Sequence, residues 1–399
     1  MFVDVVLFLI ALGLLLPIAV LFVECSAAFL PRQPETGEAQ VSHASVAVLV
    51  PAHNEAIGIG VTIAALLPQL KTEDRLIVIA DNCSDETAAI ARNFGAIAIE
   101  RHDLECRGKG YALDYGLRFL EADPPAVVII VDADCICQPH TLDRLGKVAV
   151  ASGQPIQALY LMEKPPLPSP KDAISALAFT VKNLVRPSGL ERLGLPCLLT
   201  GTGMAFPWSI IREVSLASGN IVEDMQLSVD LAIAGYPTLF CPEAKVIGCL
   251  PQQQQAAKSQ RTRWEHGHLQ TLIAQTPRLL KAAIIQKRFD LLALALDLSI
   301  PPLSLLVAIW VVAIAAAFLT ANLSGFWFPA ALLALEGILI LISIIAAWAK
   351  FARTEIPAQL LLTVPFYILW KIPLYLGFLV QRQTKWIRTE RDPIATTKP

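Results

Sequence analysis

Charge is scarce in this chain. Only 17% of its 399 residues are charged against 55% hydrophobic, and the mean hydropathy is +0.55. Those values exclude an ordinary soluble protein of this length. The deficit sits at the two ends. Val5 to Val23 has no charged residue; as a helix it would extend about 28 Å, roughly one hydrocarbon core. Lys and Arg are also absent ahead of it, where only Asp4 stands, and no small-residue cleavage site stands out. A retained anchor therefore fits better than a cleaved signal peptide. Leu298 to Leu335 likewise carries no charge and is long enough for two crossings, with the polar, Gly-containing Thr320–Gly325 as the turn between them. Glu336 falls at the second crossing and should face protein rather than lipid. A net charge of −2 gives no sign of a nucleic-acid partner. Zinc spacing is missing too: Cys135 and Cys137 stand one residue apart, which reads as strand-end packing.

A third apolar segment, Ile356 to Val380, is interrupted by Lys371 and by Pro357, Pro365 and Pro373. It reads as a kinked crossing or as a segment that enters the membrane and returns. Basic residues decide between these. Arg278, Lys281, Lys287 and Arg288 precede the C-terminal block, Lys350 and Arg353 follow its second crossing, and the Thr320–Gly325 turn has none. The positive-inside rule puts the middle of the chain in the cytoplasm and that turn outside. The tail, with Arg382, Lys385, Arg388 and Arg391, also reads as cytoplasmic, so Ile356–Val380 is better taken as interfacial or re-entrant. The expected organisation is an anchor over 1–24, a cytoplasmic domain over 41–290, a membrane region over 291–381 and a basic tail over 382–399. A cytoplasmic domain holding most of the eight scattered Cys should keep them as free thiols.

Between the membrane blocks, strands alternate with helical patterns. Val46–Val50 ends at Pro51-Ala-His-Asn-Glu55, and Arg75–Ala80 ends at Asp81-Asn-Cys-Ser-Asp-Glu-Thr87. A short strand at Ala96–Ile99 precedes Arg107-Gly-Lys-Gly and a helix to Leu120, and the next strand ends at Asp132-Ala-Asp134. Such alternation argues for a parallel, doubly wound sheet. Three strands ending in polar clusters would converge on one rim, where open α/β sheets place their ligands.

The run Val128-Ile-Ile-Val-Asp-Ala-Asp-Cys reads as an inner strand, buried on both faces, that ends in two carboxylates. Residues two apart on an extended chain share a side. Two such carboxylates repel unless a cation lies between them, and oxygen ligands suit Mg²⁺ or Mn²⁺. An Asp-rich turn is the plainer alternative. Ser84 and Asp85 suit N-capping, whereas Asp81, directly at a strand end, suits ligand binding. Lys109, between two glycines before a helix, could lay a cation against a phosphate; an exposed turn is the equal alternative.

Taken in order, Pro51-Ala-His-Asn-Glu55, Asp81, Gly108-Lys109, Asp132-Ala-Asp134, Thr200-Gly-Thr-Gly-Met204, Glu223-Asp224 and Gln260-Arg-Thr-Arg-Trp264 resemble a membrane-bound, inverting nucleotide-sugar glycosyltransferase of family 2. The last resembles the Q-x-x-R-W signature of cellulose, chitin, hyaluronan and poly-N-acetylglucosamine synthases. Val222 stands where the synthases commonly carry Thr before their acidic pair, and the tail Trp386-Ile-Arg-Thr389 is similar to the ending of some membrane relatives. The resemblance implies an α/β GT-A fold: a doubly wound mixed sheet with a Rossmann-like nucleotide half and flanking transmembrane helices.

It also implies roles. Asp134, helped by Asp132, would hold Mg²⁺ or Mn²⁺ against the donor diphosphate. Glu55, Asp81, Lys109, Asp132 and Arg263 would contact the nucleotide, with Asp81 on the base and Arg263 on the diphosphate. Asp224 would be the general base, its pKa raised beside Glu223 in a closed site; capping of the following helix is the alternative. Glu223, Gln260, Trp264 and Gly203 would hold the acceptor, with Trp264 as a flat apolar face and Thr200–Met204 as a loop open to a sugar. An Arg/Trp cluster before a membrane segment can also be an interface anchor. His266 and His268 lack a third ligand in register for a metal. The Pro-rich Lys164–Lys171 stretch would join the nucleotide and acceptor halves, or form a lid.

The implied protein is an integral enzyme of the inner or plasma membrane with a cytoplasmic catalytic domain. Its partners would be a nucleotide sugar, most simply a UDP-sugar, a lipid-linked or polymeric glycan, membrane lipid and potential polysaccharide-export components. Few crossings favour single additions or a partner-assisted channel. Other readings are a ceramide glucosyltransferase-like enzyme and a non-catalytic scaffold with a relic transferase domain. The scaffold predicts eroded carboxylates, and none is missing here. A sugar nucleotidyltransferase would leave Glu223-Asp224 and the membrane blocks unexplained.

Overall fold

The computed structural model describes residues 2–32, 44–163, 169–217, 222–249 and 254–380. The tail motif Trp386–Thr389, Asn220 and the first half of the Lys164–Lys171 stretch lie outside the described residues. The chain forms two compact units. One comprises Met1–Arg32, Pro166–Leu195 and His268–Arg382; the other comprises Gln33–Pro165, Pro196–Gly267 and Gln383–Pro399.

The second unit is built on one 8-stranded sheet. Its strands are β1 (Val46–Ala52), β2 (Arg75–Asp81), β3 (Ile97–Arg101), β4 (Val127–Ile130), β5 (Cys135–Cys137), β6 (Ile156–Glu163), β7 (Met204–Pro207) and β8 (Leu239–Cys249). They lie in the order β3-β2-β1-β4-β7-β6-β8-β5. The first four run parallel, as their alternation with helices requires, whereas β7 pairs antiparallel to both β4 and β6. The sheet is therefore mixed, as GT-A resemblance implied. β1 and β4 are inner strands with β-branched residues buried on both faces. Helix Lys109–Leu120 packs Leu113, Leu117 and Leu120 against Leu49, Ile77 and Ile79. Burying each such side chain contributes about 1.5–3 kcal/mol. Gly116 permits that approach: a Cβ there would lie 2.6 Å from Ile79 Cδ1.

Register then fixes the rim. Ala52 pairs with Ala80 and Leu49 with Ile130, so β1 and β2 end within a residue of each other and β4 stops three residues short of the end of β1. His53–Glu55, Asp81 and Asp132 therefore lie at the same edge of the parallel part of the sheet.

The first unit is helical. Helix Phe2–Ala27 buries Leu7, Ala11, Leu14, Ile18, Leu21 and Cys25 against Ala313, Ala317 and Ala321 of helix Leu303–Ser324 and Ala330, Leu333 and Ile340 of helix Phe328–Phe351. Small residues at the seam allow close packing. With Ala358–Val380, four helices are long and apolar enough to cross a membrane. Glu336 is buried, as the cost of a charge facing lipid requires. The expected Thr320–Gly325 turn is corrected: helix runs on through Ser324, and the chain turns at Gly325, whose φ of 77° favours glycine. Thr320 Oγ1 and Asn322 Nδ2 bond back to the helix, at Ala316 O (3.0 Å) and Phe318 O (2.8 Å), while Ser324 Oγ donates to Asp4 Oδ1 at 3.0 Å. Arg186 donates from Nε to Glu24 at 2.8 Å and from Nη2 to Asp297, all three buried. Such an arrangement is costly to break, because each carboxylate would remain buried.

Candidate active site

Two strand-end loops interlock at the rim. Asn54 adopts φ 54° and its Oδ1 accepts from Ser84 N–H at 2.7 Å, while the N–H of buried Glu55 donates to Thr87 Oγ1 at 2.8 Å. Ser84 therefore ties two loops together rather than capping a helix, while Asp85 Oδ1 accepts from Thr87 N–H at 3.1 Å, at the start of helix Thr87–Asn93.

Asp81 closes β2 and is buried. Its Oδ1 accepts from Arg101 Nη1 at 2.7 Å and from Asn82 Nδ2 at 3.1 Å, and Arg101 lies over the Tyr111 ring. Sequence reasoning missed Arg101. Its signal was positional, because Asp81 and Arg101 are register partners on adjacent parallel strands.

β4 ends at Ile130, and the backbone then turns. Asp132 N–H donates to Thr202 Oγ1 at 3.0 Å and Ala133 O accepts from Thr62 Oγ1 at 2.8 Å. Asp132, Asp134 and Cys135 bring ligand atoms within 4.8 Å of one another, the one such group of three among the described residues. Burial first, then Asp134, raises the pKa of Asp132 against the opposing pull of Lys109. Burial and both aspartates push the Cys135 thiol well up. Two carboxylates are hard oxygen donors, which suit Mg²⁺ or Mn²⁺ better than zinc. Cys135 is buried at the start of β5, as strand-end packing requires, and its Sγ also lies 3.6 Å from Asp134 Oδ1. Cys25, Cys83, Cys106, Cys135, Cys137, Cys197 and Cys241 are free thiols.

Lys109 opens helix Lys109–Leu120 behind Gly108, whose φ is 134°. Its ammonium contacts Asp132, donates to Gly201 O at 2.5 Å and lies 3.8 Å from Glu223 Oε1. It is therefore held among acidic groups, not in an exposed turn. Burial opposes its charge, but Asp132, Glu223 and Asp224 outweigh that and raise its pKa.

Glu223 and Asp224 form the first turn of helix Glu223–Ala234. The N-cap is Val222, with no side-chain cap bond, so neither carboxylate serves as the cap. Burial raises the Glu223 pKa to about 7, with Lys109 opposing and Asp224 reinforcing.

The Thr200–Met204 loop is gripped by Gln157: Oε1 accepts from Thr200 N–H at 2.8 Å and Nε2 donates to Thr202 O at 2.9 Å. A Cβ on Gly201 would sit 3.3 Å from Asp224 Oδ2, so loop and helix start adjoin. Gly203 has a structural reason to be glycine. Its φ is 64°, and a Cβ there would meet Val246 Cγ2 at 2.7 Å and Ala158 Cβ at 2.8 Å. Gly203→Ala is expected to destabilise the protein by about 2–4 kcal/mol through left-handed strain and overpacking. Thermal unfolding in detergent checks this; an unchanged midpoint would refute it.

Gln260–Trp264 lies on helix Gln254–Gln286. Gln260 and Arg261 are buried, while Arg263 and Trp264 are half-buried. Gly267 brings this helix against Val222: a Cβ there would lie 2.6 Å from Val222 Cγ1, next to Glu223. Gln260 Oε1 is buried with no hydrogen-bond partner among the described residues. The structure thus gathers Lys109, Asp132, Asp134, Glu223, Asp224 and the Gly201 loop, sets Glu55 and Asp81 at neighbouring strand ends, and packs the helix that carries Gln260–Trp264 against Val222 at Gly267.

Residues 43–267 match the family model described as glycosyltransferase like family 2, and residues 175–380 match that described as glycosyl transferase family group 2. The probable glycosyltransferase YdaM of Bacillus subtilis (strain 168) is 27% identical over 271 residues, covering 62% of this chain. The chain spans 60% of that curated relative's length. Mannosyltransferase PcManGT from Pyrobaculum calidifontis, solved with GDP-Man and Mn²⁺, aligns at a TM-score of 0.58 over 94% of this chain and 100% of that one. At 18% identity the likeness is one of fold.

Proposed function

The chain belongs to glycosyltransferase-like family 2, and from that premise we propose that it transfers a sugar, with inversion, from a nucleotide sugar to a lipid-linked or polymeric glycan at the cytoplasmic face of the inner or plasma membrane. UDP-sugars are the preferred donors in this reading. The observation that carries it is the gathering of Lys109, Asp132, Glu223, Asp224 and Gly201 where three strands end.

Inverting displacement needs a leaving diphosphate, a base and an oriented acceptor hydroxyl. Asp134 and Asp132 would hold a divalent ion, which when bound supplies Lewis acidity against the diphosphate. Asp81, held by Arg101, and Glu55 would receive the nucleoside, and Lys109 and Arg263 would offset diphosphate charge. Asp224 takes the proton of the attacking hydroxyl. Glu223 orients the acceptor, Trp264 offers an apolar face to its ring, and the unpartnered Gln260 Oε1 suits an acceptor hydroxyl. The Ile356–Val380 segment is interfacial or re-entrant in this reading, and polysaccharide-export proteins are the natural partners for a product that must leave the cell.

The test is donor turnover by the purified full-length protein over UDP-glucose, UDP-N-acetylglucosamine and GDP-mannose, with Mn²⁺, Mg²⁺ or chelator. Metal-dependent release of the nucleoside diphosphate from a UDP-sugar is expected. Release from GDP-mannose alone would overturn the base assignment, and no turnover with any donor and membrane extract would overturn the reading.

A further inference from the structure

The proposal that follows rests on the membrane placement just given and on none of the catalytic roles. Helices Phe2–Ala27 and Phe328–Phe351 run side by side in the same direction. The Phe8 and Phe328 rings are 5.5 Å apart toward one end, and Lys350 Nζ donates to Ala28 O at 2.9 Å at the other. At 1.5 Å per residue the two helices are about 36–39 Å long, more than a hydrocarbon core of about 30 Å, so their ends reach the headgroup layers. In the proposed orientation the end at Ala28 and Lys350 lies in the cytoplasmic layer. Two cations meet there on one oxygen: Arg192, which closes helix Arg186–Arg192, donates from Nη1 to the same Ala28 carbonyl. Two like charges sharing a neutral acceptor repel. Neither is matched by a carboxylate among the described residues, and Glu191, beside Arg192 in the chain, is committed to Arg32 Nε at 2.8 Å. Arg192 Nε is buried without a hydrogen-bond partner among the described residues. The Lys350 ammonium lies 4.4 Å from the Phe29 ring centroid and 5.2 Å from that of Phe351, yet the residue stays exposed. Rings and carbonyl offer only partial negative charge, which leaves the pair short of a counter-anion.

We propose that Arg192 and Lys350 form a binding site for the phosphate of an anionic phospholipid headgroup. A phosphodiester sets one full negative charge against both cations, and the guanidinium and ammonium offer its oxygens several donors at once. The surroundings favour a lipid over free phosphate. Phe29 and Leu30 are 45% and 48% exposed beside the cations, and the helices leading to them turn Val23 and Ile345 outward, at 51% and 44% exposure. Acyl chains thus find apolar surface where the headgroup finds charge, at the leaflet in which anionic lipids attract basic side chains. The bound lipid bridges the two crossings and the helix that ends at Arg192.

Native mass spectrometry of the full-length protein in detergent tests this, with phosphatidylglycerol or phosphatidylcholine of the same acyl chains titrated in and inorganic phosphate as competitor. Wild type should bind phosphatidylglycerol at least about tenfold tighter than phosphatidylcholine, since each basic side chain at an anionic headgroup is worth about fivefold. Arg192→Gln and Lys350→Gln should each lose about fivefold in phosphatidylglycerol affinity, and the double variant about 25-fold, with phosphatidylcholine binding unchanged. Removing two exposed charges elsewhere, Arg278→Gln with Lys281→Gln, should leave both affinities as in wild type. An equal loss in that control would make the attraction diffuse and overturn the site, as would a double variant that keeps the wild-type affinity. Wild type with no preference for phosphatidylglycerol would overturn it too, an outcome that needs no variant to fold. Inorganic phosphate displacing the lipid at equal concentration would overturn the lipid assignment in favour of free phosphate. None of these measurements reads sugar transfer, so their failure leaves the transferase reading intact. Absence of donor turnover, in turn, would overturn that reading and leave this site standing.

Discussion

Asp134→Ala is expected to abolish sugar transfer and the metal-dependent part of nucleotide binding. Asp134 is one of two carboxylates in the candidate cation cluster, and the other, Asp132, is already shared with Lys109. Asp134 is thus the ligand with fewer competing duties toward Lys109. Loss of outer-shell support typically costs about 10–100-fold in metal affinity, and loss of a direct ligand should exceed that. The measurement is calorimetric titration of UDP into wild type and variant, with and without Mn²⁺. The variant should show one weak, metal-independent isotherm. Metal-stimulated binding of the diphosphate by Asp134→Ala would place the ion elsewhere. Cys135→Ser is the companion control: Mg²⁺ and Mn²⁺ take oxygen donors, which predicts that metal affinity is retained.

Asp224→Asn should separate binding from chemistry. The amide keeps the shape of the pocket but cannot accept the acceptor's proton. Donor affinity should stay near that of wild type while turnover falls about 10²–10⁴-fold, or about 3–5 kcal/mol of barrier. Its neighbour sets a further test. Burial raises the Glu223 pKa to about 7, so this carboxyl is mostly protonated below that pH and becomes a base above it. If Asp224 is the base, the residual activity of Asp224→Asn should not rise with pH. Residual activity that climbs with pH, at an apparent pKa below about 7 because the variant lacks the Asp224 charge that helps raise Glu223, would assign the proton transfer to Glu223, and transfer near the wild-type rate would remove Asp224 from the chemistry.

Much of the site was legible because its parts are local. A β-branched run that stops at Asp132-Ala-Asp134 specifies a buried strand with carboxylates at its end, and β4 has that form. The Glu223-Asp224 pair precedes a helical pattern, and the helix begins there. The pairing partners were not legible. Lys109 meets Gly201 across 92 positions, and Arg186 meets Glu24 across 162 and Asp297 across 111. Nothing in the composition near Arg101 marks it as the partner of Asp81; only the β2–β3 register does. Gly203 reads in the sequence as part of a loop open to a sugar, whereas its left-handed φ and the side chains of Val246 and Ala158 give it a packing reason to be glycine.

By itself the sequence determined the apolar helices at both ends, the strand–helix alternation of the nucleotide half and the family, because each is written in period, charge and motif order along a short stretch. Only the tertiary structure decided that β7 enters antiparallel between β4 and β6, that Pro166–Leu195 belongs with the apolar helices, and that Lys109 stands among the acidic groups. The physical reason is that a side chain's charge partner depends on which distant backbone packs beside it. Local propensity does not carry that information, and burial and register supply it once the chain has folded.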